Sequence, residues 1–151
     1  MTVRRERARS GEFFAPAPLA ALALLVVNDV WLKPAFHSAV TGKLSDVAIC
    51  FLLPLFFSEL LGLLFGIAPR KRLWMGAILA AAFFASLEVV PACMALALRA
   101  LTAVGPQLGL HGTFRMTSDW TDLYCLVMVV LAVVYGRRRL GIDGQPPAVK
   151  A

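Results

Sequence analysis

The residues best suited to chemistry in this chain gather at two places. Thr41-Gly42-Lys43-Leu44-Ser45-Asp46 passes directly into an apolar run that continues to Ala68. Near the other end, Arg115-Met116-Thr117-Ser118-Asp119-Trp120-Thr121-Asp122 stands just before a second apolar run. Each carries a basic residue and then Ser-Asp. Ser and Asp are favoured at helix starts because their side chains accept hydrogen bonds from free backbone amides, so a helix is expected to begin at each Ser-Asp. Two such starts beside Lys43 and Arg115 could hold an anionic group such as a phosphate. The same aspartates could instead hold a cation, and the sequence leaves both readings open. His37 and His111 add a further one: with Asp46, Asp119 and Asp122 they could form a hydrolase-like His/Asp set. Neither histidine stands in a spacing motif such as H-E-x-x-H, and both lie in loop-like stretches. Binding is therefore preferred to catalysis, and neither a metal ion nor a cofactor is expected.

The elements that must position these residues are apolar. The chain is 60% hydrophobic and 16% charged, with a mean hydropathy of +0.77. An ordinary soluble domain is about 45–50% apolar and about 25% charged. The excess falls in blocks, and a helix that crosses a bilayer needs roughly 20 mostly apolar residues. The 151 residues accommodate four such helices with short connections and leave no room for a separate soluble domain. The expected architecture is all-α: a polytopic membrane protein with four transmembrane helices in two antiparallel hairpins. A basic segment, 1–12, precedes a transmembrane domain, 13–139, and a tail, 140–151, follows it. The spans are expected at about 13–32, 46–68, 73–98 and 120–136.

The net charge of +6 could indicate nucleic acid, but its placement argues for topology. Arg4, Arg5, Arg7 and Arg9 precede the first run, Arg70, Lys71 and Arg72 separate the second from the third, and Arg137, Arg138 and Arg139 follow the fourth. Alternate connections are thus basic, the positive-inside pattern, which places both termini in the cytoplasm. No nucleic-acid module accompanies these clusters, which are expected to touch anionic lipid head groups instead. The first run lacks the small residues of a cleavage site and reads as an uncleaved anchor.

On that topology Lys33, His37, Lys43, Asp46, Arg115, Asp119 and Asp122 share the outer face, and Asp29 and Arg99 lie close to it. The candidate binding residues are Asp29, Lys33, Lys43, Ser45, Asp46, Glu88, Arg115, Ser118, Asp119 and Asp122. Glu88, deep in the third span, must face the bundle interior, because a charge toward lipid is costly. Asp29, Asp46, Asp119 and Asp122 roughly balance Lys33, Lys43, Arg99 and Arg115 there, which favours a compact ion-paired pocket as the binding site. Asn28 lies close to it. Glu59 reads as a packed interior acid, and Cys50, Cys93 and Cys125 as small apolar packing residues, since their odd number and spacing suit neither a disulfide framework nor zinc. Pro54 and Pro91 should bend their helices. Residues 92–104 could continue the third span or lie along the interface, and Gly136 with the arginines should end the fourth.

Two resemblances follow from these residues. Asn28-Asp29…Leu32-Lys33 with Thr41-Gly42-Lys43-Leu44-Ser45-Asp46 resembles a group of small, uncharacterised bacterial four-span membrane proteins that carries no assigned activity. More distantly, the layout resembles the VanZ-like family, in which an acidic–basic pair opens the second span, a Glu lies in the third, and Arg and Asp lead into the fourth. Lys43 with Asp46, Glu88, Arg115, and Asp119 or Asp122 would take those places. The order of the first pair is reversed here, Pro91 stands where the family has Gln, and Arg115 lies further downstream. The family's Asn in the fourth span has no clear counterpart, Leu126 being nearest. The likeness implies envelope association and glycopeptide-resistance-related biology, with no reaction attached. The leading expectation is an outer-face pocket that binds a lipid head group or another envelope component. A membrane-embedded hydrolase is one alternative; an accessory subunit with a membrane-protein partner, or a homo-oligomer, is another.

Overall fold

Pro16 and Pro18 open the first helix, where the amide hydrogens they lack would have no partner in any case. In the computed structural model, which describes residues 12–36, 39–108 and 120–142, this helix (α1) runs Pro16–Phe36. It is α-helical to Val27, widens into a π turn over Asn28–Leu32 and then resumes. The next helix, α2, covers Ala39–Phe65, with Pro54 inside it. It stops before Gly66, whose φ of 62° is the left-handed conformation that ends a helix. Helix α3 covers Pro69–Val89 and α4 covers Pro91–Val104. The last helix, α5, covers Trp120–Leu140 and opens with tighter 3-10 turns over Trp120–Leu126. No strand occurs among the described residues.

Helix α1 runs on to Phe36 and α3 begins at Pro69, beyond the bounds read in the sequence, and three further differences bear on the site. Helix α2 begins at Ala39, so Ser45 and Asp46 lie well inside it and cap nothing. The Ser45 hydroxyl is instead taken by residues of α1. The expected 73–98 span is divided: Val90 is extended (φ −109°, ψ 104°), as a residue before proline prefers, and the chain changes direction there. Gly136 does not end the fourth span. It is buried within α5, which continues to Leu140 and closes on Gly141 at φ 67°.

Helices α1, α2, α3 and α5 are long and apolar enough to cross a membrane. A helix of 21 residues, such as α3, is roughly 31 Å long at about 1.5 Å per residue, close to the thickness of a bilayer's hydrocarbon core. The 14 residues of α4 reach only about 21 Å, too short to cross. Large apolar side chains such as Leu63, Ile78 and Val130 stand exposed along the helices, a surface that suits lipid and not water.

Contacts fix how neighbours run. Asn28 meets Thr41 and Ser45 at one end of α2, and Phe13, just before α1, meets Phe56 and Glu59 toward the other, so α1 and α2 run in opposite directions. Arg72 reaches Glu59, and Gly76 lies under Pro54 and Ser58, so α3 reverses again. Lys43 meets Asp122 while Gly136 approaches Leu55, so α5 runs with α2. The core of buried Leu55, Leu73, Ala77, Ala132 and Val133 lies where α2, α3 and α5 meet.

The α2–α3 crossing depends on a missing side chain. A methyl group at Gly76 would stand 2.5 Å from the Pro54 carbonyl oxygen and 2.7 Å from the Ser58 amide nitrogen, both backbone atoms that cannot swing away. Gly76→Ala should therefore destabilise the protein by about 1–3 kcal/mol, the usual cost of overpacking. Gly42→Ala meets nothing within 4 Å and should be neutral or stabilising by up to about 1 kcal/mol. Thermal unfolding of both variants in detergent checks the pair; equal midpoints would contradict the close approach.

Candidate functional site

The polar residues of α1 and α2 are joined where the two helices leave the apolar zone. Asn28, fully buried at the π turn, donates from Nδ2 to the Thr41 carbonyl oxygen at 2.6 Å and to Ser45 Oγ at 2.7 Å. Ser45 Oγ donates to Asp29 Oδ1 at 2.7 Å, and Lys33 Nζ pairs with the same oxygen at 2.7 Å. Asn28 and Asp29 both stand in the π turn, and both meet Ser45. Beside this chain of bonds, Lys43 Nζ pairs with Asp122 and donates to Thr121 Oγ1 at 2.8 Å, tying the start of α5 to α2. The Asp122 side chain is 12% exposed and Lys43 46%, so water screens the pair from one side only.

Next to this assembly opens a cleft of about 840 Å³ between α1, α2, α3 and α4. One face of α2 lines it with Asp46, Ile49, Leu53 and Phe56, at the three- and four-residue intervals that stack side chains on one side of a helix. One face of α4 lines the opposite wall with Cys93, Leu96, Ala97, Ala100 and Leu101, at the same intervals. The polar wall residues, Asp46, Ser86 and Glu88, come from the Lys43 end of α2 and the adjoining end of α3. Asp46 and Phe56 lie roughly 15 Å apart along α2 at about 1.5 Å per residue. The cleft is thus a long apolar slot with carboxylates at one end. Asp46 makes no hydrogen bond or ion pair with a described residue.

Of the residues expected to form the site, Asp29, Lys33 and Ser45 come together in one network, Lys43 and Asp122 in a second, and Asp46 and Glu88 on the cleft wall. Arg115, Ser118, Asp119, His37 and His111 lie outside the described residues. Arg99 is exposed on α4. The position of Ser45 and Asp46 inside α2 removes the anion site expected at a helix start there, because the free amides belong to residues further upstream.

Two residues were undervalued in the sequence. Asn28, noted only as lying near the outer face, is the hub of the α1–α2 contact; an amide residue closing a long apolar run was the available signal. Arg72, counted with Arg70 and Lys71 as a topology marker, donates to Glu59 Oε2 at 3.0 Å toward the other end of the bundle. That pair explains Glu59, which also accepts from the Phe13 amide at 3.5 Å. Among the cysteines, Cys50 and Cys125 are buried in the core and Cys93 lines the cleft, all as free thiols. No group of three or more His, Cys, Asp or Glu residues that could hold a metal occurs among the described residues.

Fold and site together define an integral membrane protein, with four apolar helices long enough to cross the bilayer and a polar cluster at one end of the bundle. No protein-family model matches the chain, and no curated protein or solved structure is significantly similar to it.

Loss of the Asn28 amide leaves the Thr41 carbonyl and the Ser45 hydroxyl to find other partners in a buried place. Asn28→Ala should lower stability by about 2–4 kcal/mol, two buried hydrogen bonds at about 1–2 kcal/mol each. Ser45→Ala should cost less, about 1–2 kcal/mol. The double variant should fall short of the sum, because the two residues share a bond. Chemical or thermal unfolding of the three variants gives the coupling; strict additivity would contradict the network.

Proposed function

We propose that the protein is a four-span bacterial inner-membrane protein that binds a lipid, or another amphiphilic component of the cell envelope, in the cleft between α2 and α4. The observation that carries this reading is the form of the cleft: a slot of about 840 Å³ with apolar walls, and with Asp46, Ser86 and Glu88 at the end nearest the ion-paired residues. That volume is in the range of small-molecule sites, which run about 300–1,000 Å³ with mostly apolar walls and a few placed polar groups. An acyl or alkyl chain suits the slot, and a head group suits its polar end. No reaction is assigned. The VanZ-like layout of Lys43, Asp46, Glu88 and Asp122 agrees with an envelope role.

The same reading orients the chain as two antiparallel hairpins with both termini in the cytoplasm. Arg70, Lys71 and Arg72 open α3, and Arg137, Arg138 and Arg139 close α5. Both clusters are at the end of the bundle away from Lys43 and Asp122, and basic residues collect on the cytoplasmic side. They would touch anionic head groups there, while the cleft opens toward the outer leaflet.

Two experiments test this. With Cys50, Cys93 and Cys125 replaced by alanine, Val40→Cys and Trp120→Cys, both at exposed positions, should react with an impermeant thiol reagent from outside intact cells. Arg138→Cys should react only after permeabilisation. In native mass spectrometry from mild detergent, the wild-type protein should retain bound lipid that Leu53→Trp and Ala97→Trp, which fill the slot from opposite walls, largely lose. Equal retention in all three would overturn the binding reading.

A further inference from the structure

We infer that the cleft selects an amphiphile with one alkyl chain and a protonated amine at its head, and that the amine lies against Asp46. This rests on the binding reading above and specifies its ligand. The slot is bounded by side chains such as Ile49, Leu53, Phe56 and Leu96, which can offer a chain only dispersion and the exclusion of polar surroundings. Discrimination must therefore come from the polar end, where the charged wall residues are the carboxylates Asp46 and Glu88.

Among the described residues the balance of charge at that end favours a cationic ligand. Lys33 is paired with Asp29, and Lys43 with Asp122. Ser86 donates its hydroxyl hydrogen to the Phe83 carbonyl oxygen at 2.7 Å, leaving its oxygen to act as an acceptor. Asp46 has no hydrogen bond or ion pair with a described residue. A phosphate or carboxylate head would bring like charge against Asp46, and α2 offers no free amides at that position to offset it. An alcohol could donate a single hydrogen bond. A protonated amine donates up to three and brings the opposite charge. Charge complementarity thus favours the amine over a neutral or anionic head on the same chain.

The test uses the full-length protein in phosphatidylcholine nanodiscs and three probes with the same twelve-carbon chain: dodecylamine, dodecanol and dodecanoate. Affinity is read by thermal shift and calorimetry, with empty nanodiscs to subtract partition into lipid. Dodecylamine should bind roughly tenfold more tightly than dodecanol, the order a single hydrogen bond to a charged group provides, and dodecanoate should bind most weakly. Asp46→Asn, whose side-chain oxygen still accepts a hydrogen bond, should reduce the amine to the level of the alcohol while changing the alcohol much less, and Asp46→Glu should keep the preference. Leu53→Trp and Ala97→Trp should weaken all three probes. Equal binding of amine and alcohol to the wild-type protein would overturn the amine assignment and leave the cleft as a chain-binding site. An amine preference that survives Asp46→Asn would overturn the role of Asp46. Binding of every probe unaffected by both tryptophan variants would overturn the cleft reading itself.

Discussion

Helices surrounded by lipid tails gain little from hiding apolar side chains against one another, because the tails are as apolar as leucine. What holds such helices together is close packing and the few polar bonds made where water is scarce. Here both converge on α2, which contacts α1, α3 and α5. Its Lys43 end is tied to α1 through Asn28 and Ser45 and to α5 through Lys43 and Asp122; Glu59, toward its other end, is tied to α3 through Arg72. Between these ties small residues let the helices approach around the core leucines. Gly76 lets α3 lie against the α2 backbone, Gly136 admits the Leu73 side chain, and Cys50, Ala77, Ala80 and Ala132 are buried nearby.

That constraint explains which parts of the structure were legible in the sequence. A span must satisfy its backbone internally and present apolar side chains for some 20 residues, so it leaves an unbroken signal that needs no knowledge of its neighbours. The four long helices were readable for that reason. The sequence placed Lys43 and Asp122 in one polar set, because polar residues at the ends of spans have few places to go, but it set Lys43 beside Asp46, not Asp122. The residues that failed to read correctly are those with two possible partners. Ser45 could have capped a helix, and its composition fits a cap as well as it fits the bond to Asp29; the choice is made by α1, seventeen residues away at Asn28. Gly136 could have ended a helix or admitted a neighbour, and Leu73 decides for the second. Arg72 could have marked topology only, and Glu59 gives it a structural role as well.

The site itself was half legible. Its charged residues were named from type and position, but the slot beside them was not, because it is made by the absence of contact between elements. Pro91 ends α3 by holding Val90 extended, and the helix that follows is too short to cross the membrane. Helix α4 packs chiefly on α3. Its apolar face lines the cleft together with α2. Nothing in the periodicity of 92–104 distinguishes a helix that closes against its neighbour from one that stands off.

An apolar gap open to a bilayer is unremarkable in itself, since lipid chains fill any groove that admits them. What sets this one apart is Asp46. A carboxylate placed in a membrane carries a penalty of about 2.5–3.5 kcal/mol near the centre of a span and less toward its ends. Asp29 and Asp122 offset theirs with Lys33 and Lys43, and Glu59 with Arg72. Asp46 has no such bonded counterion among the described residues, although Lys33 and Lys43 act on it from a distance and Asp122 and Glu88 oppose them. A bundle held together by paired charges thus keeps Asp46 without a bonded counterion among the described residues, and it stands on the wall of the slot that α4 leaves open.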